Sequence, residues 1–139
     1  MLNLLTAIMT KIAGSAFNSD VSGRVYLDHY PADEMPPTFP YCVFFIVSGI
    51  QDKTFTEHFT DTLIQFSLFS SSTGAAEITT MYADLRALLD ECALTITGST
   101  LVWMKEVNLT TMTEGITVGD ATNQVRHWAV DFEVKTSLN

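Results

Sequence analysis

Three histidines, two cysteines and sixteen carboxylates are the groups of this chain best able to do chemistry, and their spacing decides which chemistry is open. His29 follows Asp28 in a proline-rich stretch, His58 follows Glu57 in a polar segment, and His127 lies in an alternating run near the C-terminus. A zinc site needs His and Cys at short repeats; HxH, HExxH and CxxC are all absent, so no metal ligands are assigned. The densest local cluster is Asp52, Lys53, Glu57, His58 and Asp61. General acid–base work needs a carboxylate or imidazole whose pKa is moved by burial or a close charge, and nothing in this polar segment buries one. The cluster reads as a solvated or subunit-facing loop. Asp33 and Glu34 are neighbours on an irregular stretch and make no catalytic dyad. There is no GxSxG elbow, and Gly115 and Gly119 lack the spacing of a phosphate cradle. No catalytic, cofactor-binding or metal residue is assigned, and no enzymatic activity is expected.

Charge narrows the partners. A net charge of −9 and only seven basic residues, none clustered, argue against a surface that grips nucleic acid. They leave open a surface that DNA passes without binding. Charged residues are 17% of the chain, against about 25% in an average soluble domain. Threonine fills much of the gap, with 19 copies. A Thr-rich, weakly charged, apolar-leaning surface suits burial against other subunits; an ordinary β-rich domain with few surface charges is the plain alternative. At 139 residues the chain is long enough for one domain, 1–139, that buries roughly two-thirds of its unfolded surface. Cys42 and Cys92 read as small buried hydrophobes in a reduced setting, with a disulfide between them left open. The apolar start, Met1 to Gly14, lacks a basic leader and is interrupted by Lys11, which fits an amphipathic helix. No run approaches the roughly 20 apolar residues of a membrane span.

The elements that must position these groups centre on Pro40 to Ser70. Tyr41 to Val47 is an almost unbroken apolar run and Thr62 to Phe69 a second one, joined by the polar segment Gln51 to Asp61. Aromatic and β-branched runs of this length read as paired buried strands, with the connector as a loop. Before them, Leu2, Leu5, Met9, Ile12 and Ala16, widened by Leu4 and Ile8, predict a helix over 2–17. Arg24 to Leu27 reads as a short strand. Asp28 to Pro40 carries all four prolines and reads as an ordered crossing loop anchored by Phe39 and Tyr41. After the hairpin, Ile78, Met81, Tyr82, Leu85, Leu88, Leu89 and Cys92 predict a second helix, capped by Ser72 or Thr73, with Asp84, Arg86, Asp90 and Glu91 on its polar face. A short run, Leu94 to Thr97, precedes a strand from Leu101 to Met112 with Leu101, Trp103, Val107 and Leu109 on one face. Thr113 to Gln124 reads as a polar loop, and one that orders only on assembly is the form it suggests. The last strand alternates, with Trp128, Val130, Phe132 and Val134 inward and His127, Asp131, Glu133 and Lys135 outward. The expected fold is α+β, a largely antiparallel sheet with two helices packed on one face, in the order α-β-β-β-α-β-β-β.

That order and four local patterns resemble the tail-terminator, or tail-completion, proteins of long-tailed bacteriophages. The patterns are Phe39-Pro40-Tyr41-Cys42-Val43-Phe44 with Ser48-Gly49, Asp61-Thr62-Leu63-Ile64-Gln65-Phe66, Ala83 to Asp90, and Arg126 to Val134. The resemblance covers nearly the whole chain and implies a virion structural subunit without catalytic residues or cofactors. Such subunits close into a homo-oligomeric ring, usually hexameric, that caps the tail tube and ends its polymerisation. The ring also offers the surface that joins tail to head. The implied partners are further copies of the chain, the tail tube protein and a head-completion or connector protein. DNA slides through the lumen without specific binding, and no membrane is involved. The implied location is the virion tail or neck, after assembly in the host cytoplasm. Two other readings stay open: a different neck or head–tail connector component, and a small cytosolic α+β ligand binder or enzyme. The second of these needs a convergent polar cluster in an apolar pocket between the second helix and the sheet.

A heterologous ring needs one patch complementary to another. Phe55 and Phe59, amid Thr, Glu and His, are apolar anchors of an arm or rings tucked over their own domain. Asp52, Lys53, Phe55, Glu57, His58, Phe59 and Asp61 are therefore the expected subunit interface. Acids in the polar loops, Glu114 and Asp120, are expected to face a lumen or a partner and to repel DNA.

Overall fold

The computed structural model describes residues 2–34, 36–53, 55–118 and 121–138, with the side chains of 116–118 and 121–123 left aside. Helix α1 (Leu2–Ile12) buries Leu4, Ile8 and Ile12, a single row at i, i+4 spacing. The wider stripe expected from sequence is not buried: Leu2 is 74% and Met9 39% exposed. The helix also stops early. Gly14 takes φ +75°, a left-handed value that costs glycine little and ends helices. Ser15 then caps α2 (Ala16–Asp20) by accepting the Asn18 N–H at 3.2 Å. One predicted helix over 2–17 is therefore two.

Strand β1 (Val25–Leu27) runs parallel to β2 (Tyr41–Lys53), and every other pairing is antiparallel. The prolines between them frame a short 3-10 turn, Ala32–Glu34. Arg24 fixes the far end of that loop, donating from Nε to the Pro40 carbonyl at 2.9 Å and from Nη2 to the Phe39 carbonyl at 3.1 Å. β3 (His58–Ser70) follows β2, then α3 (Ala76–Leu89), β4 (Thr95–Ile96), β5 (Ser99–Val118) and β6 (Ala121–Leu138). The six strands lie in the order β1-β2-β3-β6-β5-β4. This is the expected α+β class, with the helices against one face of a mostly antiparallel sheet. α3 lies across β3 and β5, α2 packs on α3, and α1 meets β4.

Ile78, Met81, Leu85 and Leu89 of α3 are fully buried against Phe44, Ile64, Phe66, Leu68, Val130, Phe132 and Val134 of the sheet. Neither Ser72 nor Thr73 caps α3; Ala75 holds the cap position without a side-chain bond. Ser70, where β3 ends, substitutes for that cap. Its hydroxyl donates to Glu77 Oε1 at 2.6 Å and accepts the Ser72 N–H at 3.3 Å.

The inward face of β5 differs from expectation. Bulges fall between Leu101 and Trp103 and between Glu106 and Asn108, so the residues opposite Thr136, Val134, Phe132 and Val130 are Leu101, Met104, Glu106 and Leu109. Trp103 and Val107, expected on one face with Leu101 and Leu109, are 37% and 47% exposed. Glu106 takes the place opposite Phe132, and helix α3 answers it. The Tyr82 hydroxyl donates to it, Arg86 Nε lies 3.2 Å from its carboxylate, and the Glu106 N–H donates to Asp90 Oδ1 at 2.9 Å. Arg86 and Asp90, expected on a solvated face, thus fasten α3 to the sheet.

Both polar connectors are shorter than expected. β2 runs on to Lys53 and β3 starts at His58, so most of Gln51 to Asp61 is paired strand. Thr113 to Val118 pairs with Ala121 to Arg126, so the expected loop over 113–124 is a hairpin end. Threonine explains both: its branched side chain suits a strand as well as a polar surface.

One half-buried contact sets a pH dependence. Asp20, ending α2, meets Asp84 on α3, and Asp20 Oδ2 is buried with no hydrogen-bond partner. Burial, then the hydrogen bond to Asp84 and its charge, raise the Asp20 carboxyl from 3.8 to about 6. The folded carboxyl holds its proton where the unfolded one has lost it, so this pair stabilises most below pH ~4 and loses that stability as pH rises to ~6. Asp84→Asn supplies a donor and removes the second charge. It should raise stability at pH 7 by about 1 kcal/mol after solvent screening and flatten the decline between pH 4 and 6. Urea midpoints across that range check this; a variant no more stable at pH 7 contradicts it.

Candidate assembly surface

Burial changes along β2. Tyr41 to Phe44 are buried, whereas Val47 to Lys53 are exposed. The reason is the partner strand: β1 accompanies β2 only at Cys42, Val43 and Phe44. The rest of β2 pairs with β3 alone among the described residues, while β3 stays paired with β6 as far as Phe59, so the end of the β2–β3 hairpin runs past the sheet as a short arm. Phe55 is at its tip, 109% exposed. Phe59 is not in the connector. It sits in β3, opposite Asp52 and Ser137, with the Lys135 ammonium 5.0 Å from its ring centre. The two phenylalanines therefore divide the two expected fates, one ring projecting and the other held by its own sheet.

Lys135 is the hub of that held region. Its side chain is 18% exposed, lies 3.8 Å from Asp52 Oδ2, and sits 4.9 Å from the Trp103 ring centre. Lys105 approaches the same indole at 4.8 Å. Cation–π contacts of this kind hold an indole upright on a sheet surface. Lys53 and His58 face each other at the end of the arm, and Asp61 lies between Ile50 and Lys135 in the register. One Asp61 carboxylate oxygen is buried without a hydrogen-bond partner. Glu57 is exposed beside the tip. The seven residues expected at an interface thus lie along one hairpin, with Asp52, Phe59 and Asp61 on its strands within the sheet and Phe55 and Glu57 at its end.

The other expected acids lie on the second hairpin. Glu114 is on β5, opposite Val125, and its carboxylate is 3.2 Å from His127 Nδ1. Asp120 lies outside the described residues. His127 closes a file of rings across the helix-free face of the sheet. Tyr26 to Tyr30 is 4.9 Å between centres, Tyr30 to Tyr41 4.8 Å, Tyr41 to Phe69 4.6 Å and Phe69 to His127 4.2 Å. These rings tie the proline-rich loop down and leave Tyr41 7% exposed. Burial, then the neighbouring Tyr30 and Glu114, push the Tyr41 hydroxyl up to about 12, so it stays neutral.

Among the described residues no group of three His, Cys, Asp or Glu could hold a metal ion. The space between α3 and the sheet, where a ligand pocket was the open alternative, is filled by Ile78, Met81, Leu85 and Leu89 at 0% exposure. Cys42 is a buried free thiol, raised by its burial, and Cys92 is also free, 3.8 Å from the Met104 sulfur. Exposed apolar side chains lie on β2, on β5 and at the arm tip, Val47, Ile50, Phe55, Val102, Trp103, Val107 and Met112, with Leu2, Met9, Leu27 and Leu138 elsewhere. Sequence reasoning missed all but Phe55. The one available signal was Val102-Trp103, adjacent apolar residues that strict alternation cannot bury together.

No protein-family model matches the sequence, and no curated protein is similar to it. Among solved structures, a chain from the virion of the native gene transfer agent (GTA) particle is similar in fold, with a TM-score of 0.74 and 16% identity. The match covers 95% of this chain and 92% of that one. At this identity the likeness is one of fold alone.

Proposed function

We propose that this chain is a virion structural protein of a long-tailed, phage-type particle, a one-domain subunit whose copies close into a ring that caps the tail tube. The observation that carries this is the near-complete fold match to a chain of the GTA virion. The resemblance in element order to tail-terminator proteins supports the finer role of ending tube growth and presenting the head-joining surface. An adhesive arm and apolar outer strands suit a subunit that works by association, and no enzymatic step is assigned to it. The expected partners are further copies, probed first, then the tail tube protein and a head-completion or connector protein. A net charge of −9 suits a lumen that DNA crosses without sticking, since like charges repel at short range.

The test is addition of the purified chain to tail-tube subunits as they polymerise. Tubes should stop lengthening and carry a ring at one end. Tubes that grow unchanged, with bare ends, contradict the capping role.

A further inference from the structure

We propose that copies of this chain join edge to edge, the free edge of β2 in one copy adding to the free edge of β5 in the next, so that one sheet continues through the contact. This deepens the ring reading and rests on it. Beyond Phe44, β2 has β3 on one side and no strand on the other among the described residues, which leaves 45–53 unpaired along one edge. β4 accompanies β5 only at Ser99 and Thr100, and the end of α3 covers the next stretch, the Glu91 N–H donating to the Met104 carbonyl at 2.7 Å and the Glu106 N–H to Asp90 Oδ1 at 2.9 Å, which leaves 107–118 without a strand on that edge among the described residues. These edges lie on opposite sides of one sheet. Each presents backbone N–H and C=O groups that only water or another strand can satisfy.

Proteins normally guard such edges with proline, with inward charge or with bulges that turn the strand away. Neither strand contains proline. Both contain bulges, at Val47 in β2 and at Val102 and Val107 in β5, but each of these positions carries a valine exposed at 49%, 44% and 47%. The devices that usually repel a neighbour here carry apolar side chains. Of the charges on these two strands, Glu106 is engaged by α3, Asp52 by Lys135, Glu114 by His127 and Lys105 over Trp103, and Lys53 stands at the far end of β2.

A second copy is the occupant these features select. A different protein adding one strand needs one open edge, whereas a chain that adds to itself head to tail needs two, on opposite sides, as found here. Pairing β2 with β5 is heterologous, the contact type that closes rings. Copies at −9 repel one another, so the contact must draw on backbone pairing and apolar area rather than on ion pairs. The β2 edge also runs straight into the arm tip with Phe55, which would reach across the same junction.

Val47→Lys and Val107→Lys place a charge on each edge at an already exposed site. Each variant alone should lose rings and run as monomer, with an unchanged melting temperature. Mixed in equal amounts they should form heterodimers and nothing larger, because one unspoiled β2–β5 pair remains between them. Rings from either variant, or a mixture without heterodimer, overturn the edge pairing while leaving the ring reading intact. A wild-type chain that stays monomeric under the same conditions overturns the ring reading and this one with it. Should a variant unfold, hydrogen exchange on the wild type decides. Amides in 45–53 and 107–118 should slow about tenfold or more on ring formation, and unchanged exchange there overturns the proposal.

Discussion

Phe66→Ala should destabilise the monomer by about 3–5 kcal/mol and lower its melting temperature by roughly 10–20 °C. Phe66 is fully buried on β3, the strand between both hairpins. Its ring stacks on Phe44 at 5.1 Å and meets Phe132 edge-on at 5.6 Å, so it joins β2, β3 and β6 below the helices. Truncation removes the ring's transfer energy and leaves a cavity that two flanking aromatics on paired strands cannot collapse into. Aromatic contact adds to the loss. Thermal melts of the two proteins check this, and a fall under about 1 kcal/mol would mean the core reorganises around the gap.

The second large effect is on association and spares the fold. Phe55→Ser should weaken self-association about thirtyfold or more, equivalent to about 2 kcal/mol per contact, and leave the melting temperature unchanged. Phe55 is 109% exposed, so the monomer gains nothing from its ring. An apolar side chain fully in water at the tip of an arm contributes only when a partner buries it. Phe59→Ser is the contrast. It removes the ring under Lys135 and should lower stability by about 1 kcal/mol through lost cross-strand and cation–π contact. Sedimentation and melting of both variants separate the two roles. A destabilised Phe55→Ser monomer, or one that associates like the wild type, contradicts the assignment of Phe55 to a contact between copies.

Much of the fold was legible because it follows from period. The alternation at Trp128, Val130, Phe132 and Val134 and the helical spacing of Ile78, Met81, Leu85 and Leu89 mark the same faces in the structure. What sequence missed were departures from period. A glycine at φ +75° cut one helix in two, and a bulge in β5 moved Trp103 to the surface and Glu106 to the helix side. A bulge adds one residue without a compositional mark, so alternation counted across it inverts the face. Polar threonine segments read as loops although threonine is a strand former, so 51–61 and 113–124 read as loops where the chain is largely paired strand. Of the expected interface, Phe55 was legible as an apolar residue in a polar setting. The open edges were not, because whether a strand has a neighbour depends on the lengths of β1 and β4, three and two residues, rather than on β2 or β5.

The central claim is that this chain closes on itself around a hole. Negative-stain imaging of the full-length purified chain at high concentration, with its mass in solution measured alongside, tests it most directly. The expected result is one closed species, a small integer multiple of 15.4 kDa, seen end-on as a ring with an open centre. A monomer at every concentration, or open filaments of indefinite length, would contradict it.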